Sequence, residues 1–225
     1  MLSSAASTRD TLHGGRTVLW QPARGVGYRV NVDALHLAGF AIRPRPATHA
    51  VDLGAGVGAV GLTLLASGSA ERVSFVERDP TLASLCARNL EENGYAARAE
   101  VVRADVADDA AFAPGTADLV VANPPYLTPG KGRPPAAQVR DARSGALDPF
   151  LVRARSLLGR RGRACFVYPA RELPALLVAS RGAGLEAKRL RFVHAGQAVA
   201  ARVVLVELLP GKPGGLLVEA PLVEG

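Results

Sequence analysis

From residue 49 onward, the chain alternates short apolar runs with segments in which apolar residues recur every three or four positions. A short apolar run is typical of a buried strand, and the three-to-four spacing is typical of a helix with one buried face. Strand-helix alternation of this kind favours a parallel sheet with right-handed crossovers and helices on both faces. The predicted strands are 49–53, 72–76, 99–103, 118–122 and 163–168, and the predicted helices are 58–67, 80–93, 146–158 and 170–182.

Both ends of the chain depart from this alternation. Segments 188–193 and 202–208 are predicted strands with only a turn-rich stretch between them, which permits an antiparallel pair but no helical crossover. We therefore expect an α/β fold: a Rossmann-like, mostly parallel, seven-stranded twisted sheet with an antiparallel C-terminal strand and helices on both faces. Residues 1–16 are small and polar and are expected to be a flexible N-terminus, followed by a single domain over residues 17–225.

Glycines at positions 54, 56, 58 and 61 follow the first strand of the alternating region. Glycine lets the backbone turn tightly and approach a ligand, and the N-terminus of the following helix offers free N–H groups. Asp52 stands directly before these glycines, where it would repel a pyrophosphate but suit a ligand that carries an ammonium and a sulfonium. S-adenosylmethionine is such a ligand. The alternative interpretation of Asp52 is a plain cap at the end of a strand.

Two more carboxylates follow the next predicted strands. Glu77 is placed to meet ribose hydroxyls, as the acidic residue does in dinucleotide-binding folds, and Asp105 could accept a hydrogen bond from an adenine amine. Because ligands of open α/β sheets bind at the carboxyl ends of the strands, we expect both to converge with Asp52 on one crevice.

The tetrapeptide Asn123-Pro124-Pro125-Tyr126 follows the apolar run 118–122. Two adjacent prolines fix φ and lack N–H groups, so this turn is stiff and cannot continue a strand. The Asn123 amide oxygen and the Pro124 carbonyl could accept both N–H groups of a planar amine, while the Tyr126 ring stacks on it. The sequence therefore predicts transfer of a methyl group to an amine. A proline-rich loop that merely ends a strand is the alternative.

The charge balance suggests the kind of partner. Lys and Arg number 27 against 20 Asp and Glu, for a formal net charge of +7 and a pI near 10.1. Arginine supplies nearly all of the excess, and its guanidinium suits bidentate contact with phosphate. Segment 127–145 is rich in Gly, Pro and basic residues, and a loop of this length is usually functional or disordered. We therefore expect a nucleic acid as partner.

Other features argue against several classes of protein. Cys86 and Cys165 are the only cysteines and lack metal-ligand spacing, which argues against a disulfide framework or a zinc site. No run reaches the ~18 apolar residues of a membrane-spanning helix, and the N-terminus lacks the order of a signal peptide. We expect a cytoplasmic protein that uses neither metal nor membrane and is a monomer or a weak dimer.

Taken together, these motifs resemble those of class I S-adenosylmethionine-dependent methyltransferases that act on amino groups. More narrowly, the chain resembles the bacterial valine-tRNA adenine-N6 methyltransferases, a family that modifies an adenine of the anticodon loop. The resemblance implies a class I methyltransferase fold, S-adenosylmethionine as cofactor and tRNA as substrate. It is carried by segments 31–38 (NVDALHLA), 51–62 (VDLGAGVGAVGL), 123–126 (NPPY), 190–194 (LRFVH) and 219–223 (EAPLV).

The resemblance adds further residues to those argued from the strand ends. The predicted cofactor-binding residues are Asn31, Asp33, Asp52, Gly54, Ala55, Gly56, Gly58, Glu77, Arg78, Asp105, Val106 and Asn123. The predicted catalytic residues are Asn123, Pro124, Pro125 and Tyr126. The predicted RNA contacts are Lys131, Arg133, Arg140, Arg143, Arg189 and Arg191.

Other functions share parts of this pattern. A glutamine-N5 methyltransferase acting on release factors uses the same turn on a planar amide, and a ribosomal-RNA guanine-N2 methyltransferase is also open. A nicotinamide-dependent oxidoreductase would share the glycine loop and Glu77 but would leave Asp52 and the Asn-Pro-Pro-Tyr turn unexplained. A non-catalytic RNA-binding module would keep the fold without the activity.

Overall fold

The computed structural model describes residues 7–25, 29–108, 113–125, 136–211 and 213–224, with the backbone alone between 136 and 146. Its strands are β1 (Ser7–Leu12), β2 (Thr17–Pro22), β3 (Ala47–Leu53), β4 (Ala70–Val76), β5 (Ala99–Val102), β6 (Ala117–Ala122), β7 (Leu158–Pro169), β8 (Leu185–His194), β9 (Ala201–Pro210), β10 (Leu217–Val218) and β11 (Leu222–Val223). Its α-helices are α1 (Val32–Ala41), α2 (Ala59–Ala66), α3 (Pro80–Glu92), α4 (Ala136–Leu157) and α5 (Leu173–Gly182).

Seven strands form the body of one large sheet in the order β8-β9-β7-β6-β3-β4-β5. The strands from β3 to β7 pair in parallel, whereas β9 is antiparallel to both of its neighbours, β7 and β8. The two-residue strands β10 and β11 add to the outer edge of β8. The predicted sheet, including its antiparallel C-terminal strand, is confirmed.

Helices cover both faces of this sheet. Successive residues of a strand point to opposite faces, so Ala50 packs with α1, α2 and α3, while Val51 packs with α4 and α5. Both faces are apolar, and the central strands are therefore nearly continuous hydrophobic runs. The carboxyl ends of β3, β4, β5 and β6 meet at one edge, where the candidate site lies.

Helix α4 is longer than the sequence pattern predicts. It begins at Ala136 and not at 146, and it runs through Pro149. The added turns belong to the segment predicted as a loop, which contains alanine, arginine and glutamine, all good helix formers. Gly145 and Pro149 have low helix propensity, so the sequence alone does not indicate a helix that begins at Ala136.

Within the predicted flexible N-terminus, the structure has strand β1 and the turn that follows it. Strand β1 pairs with β2 along its whole length, from Ser7 opposite Pro22 to Leu12 opposite Thr17. The Asp10 carboxylate holds this hairpin by accepting hydrogen bonds from Gln21 Nε2 at 2.8 Å and Arg29 Nη2 at 2.9 Å. Because β1 is polar and half-buried, it carries no hydrophobic run that would signal a strand.

A buried ion network fastens α1 to the C-terminal strands. Arg189 lies 8% exposed at its side chain and pairs with Glu207 at 3.1 Å and Glu219 at 3.0 Å. Its guanidinium also donates to the Phe40 carbonyl at 2.7 Å, at the end of α1. Its guanidinium is therefore engaged inside the fold, a position that argues against the predicted RNA contact. None of the described helices is long and apolar enough to cross a membrane.

Replacing Arg189 tests whether this network stabilises the fold. We expect Arg189→Ala to lower the free energy of unfolding by about 3 kcal/mol, because it removes the buried guanidinium that joins Glu207, Glu219 and the Phe40 carbonyl, although each carboxylate keeps another arginine. The matched control is Arg171→Ala, which removes a 71% exposed arginine from a surface pair with Glu172 and should cost at most about 1 kcal/mol. Urea denaturation measures both, and equal effects would contradict the assigned role.

Candidate active site

A cavity of about 520 Å³ opens at the carboxyl edge of the sheet. Its volume lies in the range of small-molecule and cofactor sites. It collects residues from the ends of β3, β4, β5 and β6, from the N-termini of α1 and α3, and from α4. The predicted site residues in its wall are Asn31, Gly54, Gly56, Glu77, Arg78, Asp105, Val106, Asn123, Pro124 and Pro125.

The glycine loop between β3 and α2 forms one side of the cavity. Gly54, Gly56 and Gly58 have φ values of 67°, 58° and 88°, a region that favours glycine. A Cβ at Gly54 would lie 3.0 Å from the Phe150 ring, and one at Gly58 would lie 2.7 Å from Cys86 Sγ. Both the backbone conformation and the close packing therefore require glycine.

Asp52 lies beneath this loop and does not line the cavity. It is 2% exposed, and its Oδ2 accepts the Gly61 N–H at 2.9 Å in the first turns of α2. Burial raises the pKa of Asp52 to about 7, and the nearby charge of Glu77 adds to the rise. The expectation that Asp52 faces the ligand crevice is therefore not met; the carboxylate holds the start of the helix behind the loop.

Glu77 is the carboxylate that reaches both the cavity and the loop. Its Oε2 accepts the Gly56 N–H at 2.8 Å, and its Oε1 accepts the Asp79 N–H at 2.8 Å. These two bonds fix the orientation of a side chain that is only 8% exposed. Each carboxylate oxygen can accept a further hydrogen bond, and Glu77 lines the cavity, which suits a ligand with two neighbouring hydroxyls.

Asp105 lies across the cavity on the loop after β5. Its Oδ2 contacts Arg78 Nη1 at 3.1 Å, and its Oδ1 accepts the Ala107 N–H at 2.9 Å. The Ala107 N–H, and then Arg78, hold the pKa of Asp105 below its usual value. Arg153, a buried residue of α4, donates from Nε to the Val106 carbonyl at 2.9 Å. This loop therefore presents an ionised acceptor on a braced backbone.

The two predicted residues before α1 take different positions. Asn31 lines the cavity, and its Oδ1 caps the helix by accepting the Ala34 N–H at 3.3 Å. Asp33 is 2% exposed and pairs with Arg202 of β9, so it does not reach the cavity wall. The interpretation of Asp33 as a direct cofactor contact is not met, since its carboxylate fastens α1 to the sheet.

The Asn-Pro-Pro-Tyr turn begins directly after β6. Asn123 and the buried Pro124 line the cavity, and Pro125 lies exposed at its margin. Tyr126 lies outside the described residues, so its stacking role stays a prediction.

The remaining predicted RNA contacts are only partly described. Lys131 and Arg133 also lie outside the described residues. Arg140 and Arg143 fall within α4, in the part described by its backbone alone. Arg191 is 36% exposed at its side chain and pairs with Glu219 at 2.7 Å.

Sequence reasoning missed several residues of the cavity wall. Phe150 and Pro149 come from α4, while Leu82 and Asp79 come from the start of α3. Phe150 belongs to an amphipathic pattern, which looks the same whether the buried face meets the core or a ligand. Asp79 caps α3 by accepting the Thr81 and Leu82 N–H groups, and its position one residue before a helical proline could have signalled this cap.

Comparison with known proteins identifies the family. The methyltransferase small domain family matches residues 37–173, more than half of the chain. The chain belongs to the methyltransferase small domain family. This membership confirms the predicted class of enzyme, a methyltransferase. Among the described residues, no three His, Cys, Asp or Glu side chains are grouped so that they could hold a metal ion.

Relatives of this methyltransferase carry more specific names. The tRNA1(Val) (adenine(37)-N6)-methyltransferase of Tolumonas auensis is 29% identical over 189 residues, which cover 82% of this chain and 77% of that protein. The release factor glutamine methyltransferase of Bifidobacterium longum is 38% identical over 98 residues, covering 40% of this chain and 33% of that protein. A crystal structure of a predicted O-methyltransferase from Agrobacterium tumefaciens superposes with a TM-score of 0.66 at 27% identity, covering 85% of this chain and 86% of the other.

The buried carboxylate of Asp52 makes stability depend on pH. Its folded pKa of about 7 lies above the ordinary value of about 3.9 in an unfolded chain. Between these values the folded state keeps a proton that the unfolded chain releases. Asp52 therefore lowers the stability as the pH rises from about 4 to about 7, and its cost is constant above that.

Asp52→Asn removes this titration while keeping an oxygen that can accept the Gly61 N–H. We expect the free energy of unfolding of the variant, relative to wild type, to increase between about pH 4 and about pH 8, by roughly 4 kcal/mol at most. Urea denaturation across this range measures the difference. A difference that stays constant with pH would show that Asp52 is ionised throughout.

Proposed function

We propose that this protein is an S-adenosylmethionine-dependent N-methyltransferase that methylates the N6 amine of an adenine in tRNA. The observation that carries the proposal is a shared cavity. Asn123 and Pro124, the predicted acceptors for the amine, line the same space as Gly54, Glu77 and Asp105, the predicted cofactor contacts. The predicted sites of the methyl donor and of the amine that receives the methyl group therefore lie at one edge of the sheet.

The cavity suits S-adenosylmethionine, the cofactor that membership of a methyltransferase family supports. Glu77 offers acceptors for ribose hydroxyls, and Asp105 offers one for an adenine amine. Val106 and Leu82 supply apolar surface in the same cavity, as a purine ring needs. The bound cofactor would supply an activated methyl group, so the protein need only orient the amine.

Asn123 and Pro124 would do this orientation. The lone pair of an exocyclic amine is delocalised into its ring, which makes the nitrogen a poor nucleophile. Acceptors at the Asn123 Oδ1 and the Pro124 carbonyl would draw both N–H groups out of the ring plane, toward the tetrahedral nitrogen of the transition state. Interactions that strengthen only as this geometry develops increase the rate.

The choice of tRNA as substrate rests on two supports. The formal net charge of +7 favours a polyanion, and a relative matched over most of its length is named as a tRNA adenine-N6 methyltransferase. A glutamine of a release factor is the second candidate, because a relative of that name matches part of the chain at higher identity. Lys131, Arg133, Arg140 and Arg143 remain the predicted RNA contacts.

Mass spectrometry distinguishes these substrates. We expect incubation of unmodified tRNA with the protein and methyl-labelled S-adenosylmethionine to give labelled N6-methyladenosine in the nucleoside digest. A parallel incubation with a release factor should leave its glutamines unlabelled. Labelled glutamine without labelled adenosine would replace the proposed substrate with the second candidate, and label in neither would contradict both.

Asn123→Ala tests the proposed role of the turn. We expect kcat to fall by about 10²-fold or more, because the lost contact stabilises mainly the transition state. Because Asn123 is also a predicted cofactor-binding residue, the thermal midpoint of unfolding without ligand serves as the control for correct folding and should change little. Turnover near that of wild type would contradict the assignment of Asn123.

A further inference from the structure

Asn89 of α3 and Asn93, the C-cap of that helix, cover the free edge of strand β2. The Val18 N–H donates to Asn93 Oδ1 at 2.9 Å, and Asn93 Nδ2 donates back to the Val18 carbonyl at 2.8 Å. One turn earlier, Asn89 repeats this exchange with the N–H and the carbonyl of Trp20, at 2.6 and 2.9 Å. A strand edge presents such groups unpaired, so the two amides together replace a neighbouring strand.

The two asparagines differ in one further hydrogen bond. Asn89 Nδ2 also donates to the Val57 carbonyl at 2.9 Å, and Val57 lies in the glycine loop. Asn93 Nδ2 instead donates to the main-chain carbonyl of Asn89 at 2.7 Å. The Asn89 amide, which is 0% exposed, thus uses its oxygen and both of its N–H groups to join the hairpin to the loop.

The loop has reason to need this support. Glycine has more accessible backbone conformations than other residues, so the glycines that adopt positive φ in this loop lose much conformational freedom on folding. Glu77 holds Gly56 from the β4 side, while Cys86, one turn before Asn89, packs its Sγ against Gly58. Asn89 fixes the peptide between these two points, so α3 braces the loop through a contact that lies outside the cavity wall.

We propose that Asn89 is a positioning residue of the cofactor site and that, through it, the β1–β2 hairpin stabilises the ligand-binding conformation of the glycine loop. The proposal rests on the proposed role of that loop in binding the cofactor. Asn89 does not line the cavity and acts only through the Val57 carbonyl. The hairpin is thereby part of the site without touching the ligand.

Asn89→Ala and Asn93→Ala form a matched pair for the test. Each removes two hydrogen bonds to β2 from the same helix, but only Asn89→Ala frees the loop. We expect Asn89→Ala to weaken binding of S-adenosylhomocysteine by about tenfold, the net effect of one hydrogen bond, and Asn93→Ala to change it less than about twofold. Both should lower the thermal midpoint to a similar extent. Equal weakening of binding by the two variants would overturn the proposal.

Hydrogen exchange of the wild-type protein provides a second test that does not depend on folding of a variant. Coupling between two parts of a protein is reciprocal, so a ligand that orders the loop should also order β2. We expect saturating S-adenosylhomocysteine to slow amide exchange of Val18 and Trp20 by roughly fivefold or more. No change at these amides would count against the coupling.

The outcomes separate this inference from the function on which it rests. If wild-type protein fails to bind S-adenosylhomocysteine in calorimetry, the proposed cofactor site is wrong. If wild type binds it but the two variants behave alike and β2 gains no protection, the cofactor site stands and only the role of Asn89 is wrong.

Discussion

The loop between β3 and α2 is the constraint on which the candidate site depends. Its glycines adopt positive φ values, and two carboxylates hold it in that shape: Asp52 binds the Gly61 N–H, and Glu77 binds the Gly56 N–H. Burying two acids side by side is costly, which is why the pKa of Asp52 rises to about 7. Buried backbone N–H groups need acceptors, and while the Ala55 N–H donates to the Val76 carbonyl, the Gly56 and Gly61 N–H groups donate to these two carboxylates.

The sequence predicts which edge of the sheet carries the candidate site more accurately than it predicts where each side chain of that site lies. Glu77, Asp105 and Asn123 were predicted to converge because parallel strands end at one edge, and all three line the cavity. Asp52 was expected beside them and lies beneath the loop. Its position next to the glycines is compatible with either orientation, and only the path of α2 decides that the Gly61 N–H is its partner.

The distribution of arginine explains another limit of sequence reasoning. A basic composition suggested a polyanionic partner, and Arg189 and Arg191 were placed on an RNA-binding strand. In the fold, Arg189 is a buried ion-pair partner, and Arg43 and Arg163 share the same carboxylate of Glu207. Glu207 and Glu219 together pair with four arginines, so the number of arginines overstates the number of cations available to a partner. The chain order predicts that β8 and β9 pair, but it does not fix their register, which places Arg189 directly opposite Glu207.

The outer motifs that carried the family resemblance are distant in sequence but meet in one place. Near the start of α1, Asp33 pairs with Arg202, and His36 lies 2.8 Å from Glu224 of the last residues. The tail enters the sheet through β11, which pairs with Val193 and His194 at the end of β8.

Arg189, an earlier residue of β8, pairs with Glu219. Its guanidinium also donates to the Phe40 carbonyl in the final turn of α1. Both ends of α1 are thus fixed by the C-terminal strands, and Asn31, which precedes this helix, is fixed with them against the cavity. The C-terminal segment therefore contributes to the site by fixing α1, just as the hairpin does by fixing the glycine loop, and neither needs to touch a ligand.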